Sequence, residues 1–250
     1  MNLALAGLSY GVTIFALILL AVQSRKLIAI FKTGQPDPTR SNNKPQRLRM
    51  MLGEVFGHTK MLNFTVVGFA HWFVMVSFFG LFGTLVTAYG QLINPYFIIP
   101  VIGHFWVYEY ITELLAWTTG IAIVALIGIR QVTLRTNKRS RFAGSGNWKA
   151  YYVEATVLAV VFCVIALRGL EGALSDETAW NRHFITTWFI ADMFKSMSLS
   201  QITLWIQIVA TIKIVTSMLW FVVLAANLTM GITWHRFLAP FNIFYRRNAD

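Results

Sequence analysis

The segment VVGFAHWFVMVSFFGLFG, residues 66–83, contains no aspartate, glutamate, lysine or arginine. A transmembrane helix needs about 20 consecutive and mainly apolar residues, and this segment reaches that length with its apolar neighbours. Four other apolar runs of similar length are separated from it by polar connections. The predicted spans have the approximate limits 4–23, 62–88, 105–129, 151–169 and 201–232. We therefore expect an all-α integral membrane protein, a bundle of five transmembrane helices that forms a single membrane-embedded domain over residues 1–250.

The composition agrees with this prediction. Of the 250 residues, 56% are hydrophobic and 12% are charged, which is more apolar surface than one soluble core of this size buries. Cys163 is the only cysteine, and iron–sulfur clusters are held by several cysteine thiolates. A cluster of that kind therefore has no ligand set within this chain.

The basic residues predict how the spans are oriented. The formal net charge is +11, and the lysines and arginines are concentrated between spans one and two, between spans three and four, and after span five. The basic residues around the second of these loops are Arg130, Arg135, Lys138, Arg139, Arg141 and Lys149. Alternate loops are thus basic, which follows the positive-inside rule rather than the pattern of a nucleic-acid-binding surface. We expect an N-terminus outside, a C-terminus in the cytoplasm and no nucleic-acid partner.

Ionisable side chains inside the predicted spans are the first functional candidates, because such groups are costly in a bilayer unless they have a partner. Four of them are weighed as candidates, namely His71, Glu109, Glu113 and Lys213. His71 lies among apolar and aromatic residues of span two and has no obvious local partner. A metal ion or a haem iron would satisfy its ring nitrogen, and the alternative is a hydrogen bond to a neighbouring helix.

His235 is the second candidate ligand, at the end of span five in GITWHRFLAPFNIFYRR, residues 231–247. Spans two and five are predicted to be antiparallel, so His71 and His235 both belong to the cytoplasmic half. A six-coordinate haem b takes two axial imidazoles from facing helices, and Arg236 is placed to pair with a propionate. The alternative is that His235 is an interfacial residue that ends the helix. The depths differ, since His71 lies about 12 Å along span two, so either this span begins earlier or span five is tilted.

Glu109 and Glu113 are spaced i, i+4 and project from one face of span three near its outer end. They are either proton relays for quinone chemistry or water-exposed residues of a vestibule. Lys213 is expected to snorkel or to be paired rather than to act as a catalyst. His58, His104 and His183 lie outside the spans or at their edges, where we expect solvated or hydrogen-bonded histidines.

Several motifs resemble a known family. They are EVFGHTKML at 54–62, GFAHWF at 68–73, IPVIGH at 99–104 and HRFLAPFNIFYRR at 235–247. With the five-span topology, they resemble the cytochrome b gamma subunit of respiratory nitrate reductase. The sequence is more similar to the membrane domain of bacterial quinone-linked iron–sulfur oxidoreductases, such as the membrane-bound electron-transfer flavoprotein dehydrogenase of actinobacteria, and the similarity extends over essentially the whole chain.

The resemblance implies a haem b domain of the bacterial cytoplasmic membrane that transfers electrons between a cytoplasmic iron–sulfur module and a quinone, with menaquinone implied by the actinobacterial likeness. It implies His71 and His235 as ligands of the haem iron, Arg236 as a cofactor-binding residue, and Glu113 rather than Glu109 as the proton relay. The iron–sulfur clusters are then expected on a missing domain or on a separate polypeptide. Electron-transfer flavoprotein is a candidate partner.

A different class of function is a haem-free membrane anchor or a small transporter. In that case the histidines, the acids and Lys213 would line a polar path. The spans show no pair of broken segments in corresponding positions, which is the pattern that would favour a transporter.

The number of haems is predicted by what the sequence lacks. In the two-haem nitrate reductase cytochromes that it resembles, a second ligand pair stands where this chain has Leu81 and Ser217, and a leucine side chain has no atom that binds iron. His104 and His183 are the conceivable substitutes. A single haem on the cytoplasmic side favours a quinone site within its reach and argues against charge transfer across the full membrane.

We predict one haem b per chain. Pyridine haemochrome quantitation against protein mass measures this ratio directly, and a value near two haems per chain would refute the prediction.

Overall fold

The computed structural model of the protein describes residues 2–136 and 147–247, and all regular secondary structure in these ranges is helical. Lys138, Arg139 and Arg141 of the predicted basic loop lie outside the described residues. The α-helices are α1 (Leu3–Phe31), α2 (Lys44–Val55), α3 (Thr65–Gly80), α4 (Phe82–Ile93), α5 (Trp106–Thr136), α6 (Asn147–Leu174), α7 (Trp188–Phe194), α8 (Leu199–Ala226) and α9 (Gly231–Phe244). Short 3₁₀ helices at Pro38–Arg40 and Met61–Phe64 precede α2 and α3.

Five helical segments of the described chain are long and apolar enough to cross a membrane. They are Leu3–Phe31, Met61–Gly80, Trp106–Thr136, Asn147–Leu174 and Leu199–Ala226. Large apolar side chains cover their outward faces, as shown by Ile121 at 69% exposure and Phe162 at 73%. A soluble protein rarely exposes so continuous an apolar surface. The predicted all-α bundle with five candidate spans is therefore confirmed.

The predicted limits of span five are wrong. The sequence predicts one span over 201–232, but α8 ends at Ala226 and the turn 227–230 separates it from α9. Asn227 leaves the helical conformation, with φ −125° and ψ 72°, and its side chain donates a hydrogen bond back to the carbonyl of Val223. His235 therefore lies on a separate helix and not at the end of a span.

Span two also differs from its predicted limits of 62–88. The helix is interrupted at Leu81, between α3 and α4, and the hydroxyl of Thr84 donates to the Leu81 carbonyl at 2.6 Å. Helix α4 then continues to Ile93. The remaining spans α1, α5 and α6 are longer than predicted, because their ends project beyond the most apolar part of the sequence.

The two ends of the bundle are named here by the helices that begin there. Helices α1, α5 and α8 begin at the upper end, where Tyr89 of α4 contacts Thr13 and Gln91 donates to Glu171 of α6. The lower end carries α2, α9 and the start of α3. Small residues allow α1, α4 and α8 to approach closely, since Ala16, Ala88 and Ala210 are fully buried.

The guanidinium of Arg47 connects the end of α9 to α2 at the lower end. Arg47 of α2 is 1% exposed and donates to the carbonyls of Thr39, Asn42, Phe244 and Arg246. A buried arginine is stable only where its donors are satisfied. Arg47 thus joins the loop before α2, α2 itself and the chain at the end of α9.

We predict that Arg47→Met loosens this end of the bundle. The lost hydrogen bonds should destabilise the fold by about 2 kcal/mol, which lowers the midpoint of thermal unfolding in detergent by about 5 °C for a chain of this size. The matched control is Arg49→Met, because Arg49 lies exposed on the same helix. Equal midpoints for the two variants would contradict the role given to Arg47.

Candidate functional site

Three histidines lie together at the lower end. His58 comes from the loop between α2 and α3, His71 from α3 and His235 from α9. The ring centroids of His71 and His235 are 6.1 Å apart, and those of His58 and His71 are 5.1 Å apart. The structure therefore brings the two predicted ligands together and adds His58, which was expected to be a solvated or hydrogen-bonded histidine.

Hydrogen bonds determine which ring nitrogens carry protons. His58 Nδ1 lies 2.9 Å from the carbonyl oxygen of Val55, which only accepts, so Nδ1 is the donor. In a neutral ring His58 Nε2 then accepts from His71 Nδ1, at 2.9 Å. His235 Nδ1 likewise donates to the carbonyl of Gly231 at 3.2 Å. As neutral rings, His71 and His235 therefore both keep an unprotonated Nε2, which is the form that binds a metal.

The loop that carries His58 is folded tightly. A Cβ at Gly57 would lie 2.6 Å from the carbonyl oxygen of Gly53, so only glycine fits there. His58 itself has a positive φ of 49°. Trp72 donates from its indole nitrogen to the carbonyl of Phe56 at 2.9 Å, which joins the loop to α3. The position of the His58 ring is thus fixed by backbone contacts on both sides.

Arg236 is a cation without an ion-pair partner among the described residues. Its guanidinium lies 5.2 Å from the ring centroid of Phe78 and 5.3 Å from that of Trp220. Burial lowers the pKa of Arg236 to about 10, so it remains charged at neutral pH. An anion beside it would gain a charge-assisted hydrogen bond.

A cavity of about 390 Å³, here called the apolar cavity, begins next to these residues. Val74, one turn along α3 from His71, lines it, as do Arg236 and Phe237, which follow His235. The other apolar side chains of its wall include Phe78, Phe79, Leu81, Phe82, Leu85, Val161, Trp220 and Phe221. Leu81 and Ser217 both line the cavity, so space is present at the positions where the sequence lacks a second ligand pair.

The spacing of His71 and His235 is compatible with two ligands of one metal ion. A metal–imidazole bond is about 2 Å long, so two imidazoles that share a metal ion have centroids about 6 Å apart. The observed value for His71 and His235 is 6.1 Å, with ring planes inclined by 42°. Arg236, which has no ion-pair partner among the described residues, lines the apolar cavity beside this pair.

A second polar cluster, here called the upper cluster, is centred on Arg168 of α6. This side chain, 9% exposed, donates to Glu113 Oε1 at 3.2 and 3.3 Å, to Glu171 Oε2 at 2.8 Å and to the carbonyl of His183. It also lies 3.6 Å from Glu109 Oε1. Arg168 was not among the predicted candidates, although it is an ionisable side chain inside predicted span four, as the other candidates are in theirs.

Glu113 is surrounded by donors. Besides Arg168, its carboxylate accepts from the backbone N–H of Thr186 at 2.8 Å and from the hydroxyls of Thr186 and Thr187 at 2.6 and 2.7 Å. These contacts anchor the segment before α7 to α5. A role of Glu113 as proton relay stays a prediction, and the geometry favours other acids.

Glu109 connects the upper cluster with the surface. Its Oε2 accepts from His183 Nδ1 at 2.6 Å, and its Oε1 lies 3.7 Å from Nδ1 of the exposed His104. The two histidine rings are stacked face to face, with centroids 4.5 Å apart and an interplanar angle of 7°. That stack leaves no room for an iron between them, so this arrangement does not supply a second haem site.

The same three residues could bring nitrogen and oxygen ligands within 4.8 Å of one another. Two cations would repel a metal ion at this position. Arg168 lies beside Glu109, and Arg182 donates to His183 Nε2 at 3.3 Å. We therefore treat the group as a hydrogen-bonded chain.

Lys213 does not snorkel. It lies within α8, is 1% exposed, and its Nζ donates to the carbonyl and the hydroxyl of Thr84 at 2.8 and 2.7 Å. Of the two predicted alternatives, snorkelling or pairing, the structure shows the second, because the Lys213 amine is hydrogen-bonded inside the bundle at the interruption between α3 and α4.

Comparison of the chain with protein-family models, with curated proteins and with solved structures found no match.

We predict that His58→Ala weakens haem binding without abolishing it. The axial ligands remain, but His71 loses the partner that orients its ring, and such outer partners contribute about 10–100-fold in metal affinity. Haem titration of the purified protein measures the change. His58→Gln, whose amide oxygen can accept from His71 Nδ1, should restore much of the affinity, and His104→Ala is the control at the other end. An unchanged affinity in His58→Ala would show that His58 does not orient His71.

Proposed function

We propose that this chain is a haem b membrane domain that carries electrons between an iron–sulfur module and a membrane quinone. The observation that supports it best is the pair His71 and His235, two imidazoles from different helices at the separation that one metal ion requires. Arg236 beside them has no anion of its own among the described residues. The adjoining apolar cavity offers space for a large planar group.

The orientation belongs to the same proposal. The basic loops flank α2 and the lower ends of α5 and α6, so the positive-inside rule puts the lower end in the cytoplasm and the N-terminus outside. The membrane is then the bacterial cytoplasmic membrane, with menaquinone as the quinone that the family resemblance implies. Because Cys163 is the only cysteine, the iron–sulfur clusters would belong to another domain or polypeptide that docks at the lower end, with electron-transfer flavoprotein as a candidate donor.

Each residue of the lower end has a separate task. His71 and His235 would hold the iron through Nε2, while the hydrogen bonds of their Nδ1 atoms keep the rings in the required tautomer. Arg236 would bind a propionate, and Phe78, Trp220 and Phe237 would exclude water from the macrocycle. When bound, the haem supplies one-electron transfer, and the protein supplies position and electrostatics.

The experiment is a reduced-minus-oxidised visible spectrum of the purified chain. We expect b-type absorbance, and we expect both His71→Ala and His235→Ala to abolish it, because each leaves an open iron position in apolar surroundings. His183→Ala is the matched control and should keep the spectrum.

The helical content of each variant, measured by circular dichroism, separates loss of haem from loss of fold. A folded ligand variant with a full low-spin signal would refute the assignment of that histidine. Absence of b-type absorbance from the native chain would instead favour the haem-free anchor or transporter.

A further inference from the structure

A second and smaller cavity lies above the apolar cavity. It has a volume of about 40 Å³, here called the polar cavity, and its polar lining includes Gln91, Tyr108, Glu109, Arg168, Glu171 and Lys213. A polar space of this size holds a few water molecules. Gln91 is 1% exposed, and its Oε1 has no hydrogen-bond partner among the described residues, while its Nε2 donates to Glu171 at 2.6 Å. An unsatisfied buried oxygen on the wall indicates a hydrated site.

Lys213 stands between the two cavities. Among the described residues it is the side chain that lines both of them. An ammonium group has three donors, and two of them are used by the carbonyl and hydroxyl of Thr84. When Lys213 is protonated, its third donor is free for an acceptor in either cavity.

The polar cavity is connected to the upper surface by titratable groups. Glu109 lines the cavity and accepts from His183, whose ring is stacked on the exposed ring of His104. The His104 side chain is 68% exposed. The charged or titratable groups that face Lys213 or share the polar cavity with it are Tyr108 and Glu109 of α5 and Cys163, Arg168 and Glu171 of α6. A proton can thus pass from the surface to Lys213 through side chains and water.

We propose that the upper part of the apolar cavity, between Leu81, Leu85, Lys213 and Ser217, binds the head of the quinone, with Lys213 as its proton donor. This inference rests on the proposed function, which supplies the quinone. Lys213 donates to one carbonyl oxygen. Ser217, one turn further along α8 on the same face, hydrogen-bonds the other.

Two electrons and two protons convert a quinone to a quinol. With haem bound, the two electrons would be supplied through it one at a time, and the iron–sulfur module would restore the first electron before the second is transferred. Lys213 gives a proton to the carbonyl oxygen it faces, forming the first O–H bond, and is reprotonated from the polar cavity. The second proton follows the same route and reaches the other oxygen through the hydroxyl of Ser217. Both protons originate at the upper surface, and in quinol oxidation they leave there.

Two variants of Lys213 separate binding from proton transfer. Lys213→Met removes the donor and should weaken binding of a short-chain naphthoquinone about 10–100-fold, as expected for a lost hydrogen bond to a charged group. Lys213→Gln keeps a donor but has no transferable proton, so the quinone should bind within about twofold of the native affinity. Its quinone-dependent oxidation of pre-reduced haem should be slower by about 100-fold, the usual contribution of a positioned general acid.

Quinone binding is measured on the full chain in nanodiscs by equilibrium dialysis of the short-chain naphthoquinone. This readout does not depend on haem, so failure of the proposed function and failure of this site are distinguishable. Lys195→Met, at an exposed lysine paired with Asp192, is the control. Native binding by Lys213→Met would overturn the site. If that variant does not fold, native haem oxidation by Lys213→Gln would overturn the role of Lys213.

The side of proton entry is tested in proteoliposomes. The rate of haem oxidation by quinone should respond to the pH on the side that exposes His104. A response only to the pH of the opposite side would refute the route through the upper cluster.

Discussion

A charged group inside an apolar bundle must find hydrogen-bond partners, and this requirement decides where most segments of the chain lie. Arg47 joins the loop before α2 to the end of α9. Arg168 joins α5 and α6 to the segment before α7. Lys213 joins α8 to the interruption between α3 and α4. Arg236 differs from these cations because its contacts are aromatic rings. A bound anion would therefore stabilise Arg236 more than it would stabilise the others.

The fold separates two kinds of chemistry along the membrane normal. The lower end holds three histidines beside an apolar cavity, which suits a large planar cofactor. The upper end holds carboxylates, arginines and a polar cavity, which suits water and protons. Lys213 lies where the two regions meet, since it lines both cavities.

The sequence was sufficient for the number of spans, because hydropathy depends on local composition alone. It was insufficient for the end of span five, because the predicted limits 201–232 contain a turn that hydropathy does not detect. The predicted difference in membrane depth between His71 and His235 is no longer a difficulty, because His235 lies on α9, a helix separate from α8. The roles of His58 and Arg168 depend on partners distant in sequence, as do the hydrogen bonds that Glu113 accepts. Spacing within one helix contains no information about such partners.

Under the proposed function, the position of Lys213 affects how charge moves across the membrane. Electrons would enter from the lower end and protons from the upper end, so opposite charges would converge on one buried site from opposite sides of the membrane. A single haem limits how far electrons travel across the membrane, but it does not limit the movement of protons. Each elementary charge moved across the whole membrane against 100 mV costs about 2.3 kcal/mol. In the direction of quinol oxidation, this protein would therefore generate a membrane potential. In the direction of quinone reduction, the membrane potential would drive or oppose the reaction, according to the sign of that potential.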